Sequence, residues 1–73
     1  MMFKVLGLTK IAKTDPQLYE LRLYDSSKQE RPGYAGTSDC GTEDQVRVIL
    51  EMLGMPKSEI DYLIMTAGFR KAG

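Results

Sequence analysis

Between Gly41 and Phe69 the chain reads GTEDQVRVILEMLGMPKSEIDYLIMTAGF, and here apolar residues recur twice at helical spacing, on either side of a Gly-Met-Pro break. Val46, Ile49, Leu50 and Leu53 fall at i, i+3, i+4 and i+7, and Ile60, Leu63, Ile64 and Ala67 repeat the interval. A strand alternates its side chains at every second residue and gathers neither set on one face, so the stretch predicts two short amphipathic helices. With so short a connection they form an antiparallel αα-hairpin, stripe facing stripe.

The boundaries of the first helix are written in its flanks. Thr42 stands at the N-cap position with Gln45 three residues on, the pattern of a capping box, and Glu43 and Asp44 place negative charge where the helix dipole favours it. Gly54 suits the left-handed position after the last turn, and Met55 can then fold back in a Schellman contact. The second helix starts either at Pro56, whose missing N–H costs nothing in a first turn, or two residues later with Ser58 as its cap. Gly68 and Gly73 weaken its far end, and fraying is expected after about Phe69.

The amino-terminal half supplies the sheet. Residues 3–11 are rich in Phe, Val, Leu and Ile without a helical stripe and predict a strand, with Leu6 and Leu8 on one face, Val5 and Ile11 on the other, and a bulge marked by Gly7. Lys13-Thr14-Asp15-Pro16 is a turn. From 17 to 25 the alternation is clean, with Tyr19, Leu21 and Leu23 on one face and Glu20 and Arg22 on the other, so the two runs form an antiparallel hairpin. Leu18 and Tyr24 sit on the otherwise polar face. Residues 26–33 are a polar loop, residues 34–37 have room for a short third strand at the edge, and the glycines of GYAGTSDCG make a permissive connection into the first helix. The reading is one small α+β domain over 1–73: a hairpin, with room for a third strand, and then an αα-hairpin packed on one face.

Chemistry is limited by what is missing. The chain has no histidine, which removes Ser-His-Asp and Cys-His nucleophile pairs and any His-containing metal or haem site. Cys40, in SDCGTEDQ, precedes a helix N-terminus that favours a thiolate, but Asp39, Glu43 and Asp44 oppose it, so an ordinary cysteine is expected. Those carboxylates match capping better than an EF-hand, and the glycines match neither a Walker loop nor GxGxxG. No catalytic residue, metal, cofactor or small-molecule substrate is expected. One cysteine permits no internal disulfide, the amino-terminal apolar run is too short for a signal peptide, and no run approaches the roughly 18 residues of a membrane span. The expected setting is cytoplasmic.

Ten basic and ten acidic residues cancel, so no overall field draws the chain to phosphates. Lys4, Lys10, Lys13, Arg22 and Lys28, interleaved with Tyr19 and Tyr24 in the hairpin, keep a nucleic-acid-binding regulator as the alternative. More informative is a second apolar face on each helix: Val48, Met52 and Met55 off the first stripe, and Tyr62, Met65 and Phe69 off the second. A chain of 73 residues buries only about 60% of the surface its unfolded form exposes, and self-association is a common remedy. These six residues are therefore the expected partner-binding set of a small non-enzymatic interaction protein, a regulator, inhibitor or adaptor that docks another protein or forms a homodimer.

Overall fold

In the computed structural model, which describes residues 3–70, strands β1 (Phe3–Ile11) and β2 (Leu18–Asp25) form the expected hairpin. A 3-10 turn (Ser26–Lys28) and a loop lead to β3 (Thr37–Thr42), which runs directly into α1 (Glu43–Met52); α2 (Lys57–Thr66) and the two-residue β4 (Gly68–Phe69) follow. The sheet is mixed, in the order β3-β2-β1-β4, with β4 parallel to β1. The class is α+β. The expectation about Gly73 lies outside the described residues.

Residues paired across an antiparallel ladder share a face, and the register sorts the sheet accordingly. Val5, Leu23 and Thr37 form one row on the helix side, Leu8, Leu21 and Asp39 the next, and Lys10, Tyr19 and Gly41 a third. Against this face the helices bury Val46, Leu50, Ile60 and Ile64, which with Leu8, Tyr19, Leu21 and Leu23 make the core. Ile49, Leu53, Leu63 and Ala67 pack around it, so both predicted stripes lie in the core.

The facing of β1 departs from the sequence expectation. The register slips between Val5 and Gly7, so that two residues of β1 answer one step of β2 and Leu6 is the extra residue. A bulge reverses the alternation beyond it. Val5 and Leu8 therefore share the helix side, whereas Leu6 is left exposed and Ile11 turns to the uncovered face opposite Leu18.

Three boundaries also move. The third strand covers Thr37–Thr42 rather than 34–37, so most of the stretch expected as a permissive connection is extended and paired to β2. Strand pairing rests on backbone groups, and side chains as polar as Thr-Ser-Asp-Cys-Gly-Thr satisfy it at an edge. Pro56 is itself the N-cap of α2, without a side-chain cap bond, and accepts from the Glu59 and Ile60 amides. α2 stops at Thr66, short of the expected end near Phe69: Gly68 and Phe69 leave the helix and pair with Thr9 and Lys10, and the Arg70 amide donates to the Lys10 carbonyl at 2.7 Å.

Candidate protein-docking surface

The site residues are held by two helices whose ends are closed as the sequence indicates. In α1, Gln45 N–H donates to Thr42 Oγ1 and Thr42 N–H donates to Gln45 Oε1, completing the capping box. At the other end Gly54 takes φ +87°. The Met55 amide donates to the Leu50 carbonyl and the Gly54 amide to that of Glu51, the bond pair of a Schellman motif. Arg47 lies between the helices, bonded to Glu43 at 3.1 Å and Asp61 at 2.7 Å. Asp61 first, then Glu43, holds its guanidinium more firmly protonated than usual.

With the helices fixed, five of the six expected partner-binding residues are open to solvent. Val48, Tyr62 and Phe69 are exposed, Met52 retains 81% of its surface and Met65 74%. Met55 differs: the Schellman turn folds it back, and it packs half-buried against the core.

The set is divided between the two flanks of the helix layer. Val48 lines an open groove of about 450 Å³ between α1 and β3, with Gln45, Val46, Ile49 and the β3 residues Asp39, Cys40 and Gly41, and with Leu21 at its floor. Met52 lines a smaller hollow of about 210 Å³ with Phe3, Leu23 and Leu53, joined to the first through Asp39 and Ile49. On the other flank Met55 and Tyr62 line a groove of about 400 Å³ with Val5, Ser58, Glu59 and Leu63. Phe69 presents its ring to Lys10 Nζ, 5.4 Å from the centroid.

Phe3, exposed and lining the hollow beside Met52, also belongs to this surface, while Leu6 is exposed at the bulge beside Gly36; sequence reasoning missed both. Both lie in a strand that the pattern reads as apolar on each face. The mark that distinguishes Leu6 is its neighbour Gly7, once the bulge is placed before that residue.

The other chemical candidates are dispersed. Cys40 is exposed on β3, opposite Glu20 on the face away from the helices, rather than in a loop at the helix start. Among the described residues no group of three or more His, Cys, Asp or Glu is placed to hold a metal. Lys4, Arg22 and Tyr24 share the uncovered face of the sheet, whereas Lys10 and the buried Tyr19 lie on the helix side. Lys13 is in the hairpin turn and Lys28 in the 3-10 turn. The basic and aromatic residues of the hairpin thus do not share one surface.

Asp25 is buried at the end of β2 and accepts from the Ser27 amide and hydroxyl. The Ser27 hydroxyl is the main cause that holds its carboxyl below the usual range, against the opposing effect of burial. Tyr34 closes the same corner: its hydroxyl accepts from the Asp25 amide at 3.0 Å and bonds Thr37 Oγ1 at 2.9 Å, and its ring packs against Tyr24.

No described helix is long and apolar enough to cross a membrane. No protein-family model, curated protein or solved structure matches the chain.

Proposed function

We propose that this is a small non-enzymatic interaction protein of the regulator, inhibitor or adaptor kind, which docks another protein or a second copy of itself through the apolar surface of its helices. The supporting observation is the pair Met52 and Met65. Each lies in the last turn of its helix, each is largely exposed, and neither last turn carries a basic residue. A helix C-terminus favours a cation, so lysine at either position would offset the lost burial with its gain from the dipole. Methionine there forgoes that gain and leaves a flexible, polarisable side chain in water, which suits a contact made with something else. A cytoplasmic setting goes with this reading, since Cys40 is a free, exposed thiol.

The experiment is light scattering coupled to gel filtration over a wide range of protein concentration. A mass rising above 8.2 kDa is expected, and it should return to the monomer value when Met52 and Met65 are replaced by lysine. If the mass stays at 8.2 kDa throughout and the two substitutions unfold the domain, the reading fails.

A further inference from the structure

The β3 side of the domain combines an open row of backbone groups with an apolar wall, and their geometry selects an occupant. β3 is the last strand on its side of the sheet. Which of its groups face outward follows from the ladder. The Lys10 carbonyl accepts from Arg70 and so points toward β4, away from β2. The Lys10–Tyr19 pair is therefore a non-hydrogen-bonded one, Tyr19 turns its amide and carbonyl toward β3, and its partner Gly41 turns back to meet it. By alternation Asp39 and Thr37 also bond inward, which leaves the amides and carbonyls of Ser38 and Cys40 pointing out of the sheet. β3 has no proline, lysine or bulge of the kind that usually blunts an edge. Its outward row runs beside the groove under Val48 and Ile49.

Charge decides what can pair there. Asp39 is the one ionisable carboxylate within β3, exposed and on the helix side of the sheet. A second copy pairing through both Ser38 and Cys40 would set Asp39 against Asp39 across a close, non-hydrogen-bonded pair, which is unfavourable. Moving that pairing so that Ser38 faces Ser38 brings in Gly36, whose φ of +131° breaks the strand. Moving it the other way, to oppose the two Cys40 residues, requires the Thr42 amide, already held by Gln45. A foreign strand has none of these conflicts.

We infer that the β3 edge and the α1 groove beside it bind an extended peptide as an added strand, antiparallel to β3, with the helix-side pattern large apolar, any residue, lysine or arginine, any residue, apolar. The basic side chain stands opposite Asp39. The first apolar one stands opposite Gly41, against the wall that Gln45, Val46 and Val48 give the groove, and the last lies opposite Thr37 toward Ile49 and Met52. Backbone bonds to Ser38 and Cys40 supply the pairing, and alternate side chains the selectivity. This inference rests on the protein-binding reading and names the partner's chemistry at one flank of that surface.

The test uses the full chain, isotopically labelled for amide NMR, and the capped heptapeptide Thr-Phe-Thr-Lys-Thr-Val-Thr. Millimolar peptide is expected to move the Ser38 and Cys40 amide signals. N-methylation of the peptide should abolish the effect at alternate residues only. Asp39→Lys, on an exposed edge position, should weaken binding about tenfold, and a glutamate-centred peptide should regain it. Silence of the Ser38 and Cys40 amides, or indifference to both N-methylation and Asp39→Lys, overturns the inference. So does movement of those amides with protein concentration alone, which would place a second copy at the edge. If the edge is silent while signals at Met52 and Met65 respond to concentration, only the peptide site is wrong; if neither responds, the protein-binding reading falls with it.

Discussion

Replacing both Met52 and Met65 by lysine separates docking from folding, and the size of the effect can be worked from the structure. Met52 buries about a fifth of its surface and Met65 about a quarter, from exposures of 81% and 74%. Complete burial of a methionine side chain contributes roughly 1.5–3 kcal/mol, so each substitution loses about 0.3–0.8 kcal/mol. Against this, a lysine in the last turn of a helix gains about 0.3–1 kcal/mol from the dipole, and methionine and lysine have nearly equal helix propensity. The net change per site lies between a loss of about 0.5 and a gain of about 0.7 kcal/mol. In a domain of this size 1 kcal/mol corresponds to about 4–8 °C, so the double variant, whose two sites together lose no more than about 1 kcal/mol, should melt no more than about 8 °C below the parent.

Ile64, next to Met65 and 8% exposed, is the control: Ile64→Ala should cost about 2–5 kcal/mol. Thermal melts followed by circular dichroism, run beside light scattering, read both properties. The expected result is a double variant with parental stability that no longer self-associates. A double variant that melts as early as Ile64→Ala would refute the reasoning, because it would make the two methionines part of the fold.

Three further outcomes follow from particular contacts. A Cβ at Gly41 would come within 2.7 Å of Gln45 Oε1 and displace it from the capping box, so Gly41→Ala should cost about 1 kcal/mol in urea unfolding, with a smaller penalty when Gln45 is already alanine. Tyr34→Phe strips the Asp25 amide of its acceptor; a loss of about 1–3 kcal/mol is expected, with faster hydrogen exchange at that amide. The Asp25 carboxyl is lowered in the folded state, chiefly by the Ser27 hydroxyl. Its contribution is therefore complete above the unfolded carboxyl pKa of about 3.9 and is lost as pH falls through the lower folded value. Stability measured against pH should show that loss in the parent, and Asp25→Asn should flatten it.

Much of the exposed apolar surface was legible because it is helical. The exposure of Val48, Met52, Tyr62 and Met65 follows from counting around an α-helix: once Val46, Leu50, Ile60 and Ile64 face the sheet, their neighbours on the outer arc face water. Met55 escaped the counting because it lies beyond the helix, where the turn at Gly54 folds it back toward the core. The β3 edge was not legible at all, since nothing in Thr-Ser-Asp-Cys-Gly-Thr alternates in polarity.

The two helices, their caps and stripes, and the hairpin of β1 and β2 follow from local sequence, because each depends on side chains a few residues apart. The facing of Leu6 and Leu8, the extent of β3, the pairing of β4 and the open edge arise from contacts between distant segments. A bulge is fixed by the strand lying opposite, and edge strands are held by backbone bonds available to any residue, so neither leaves a periodic mark on its own segment.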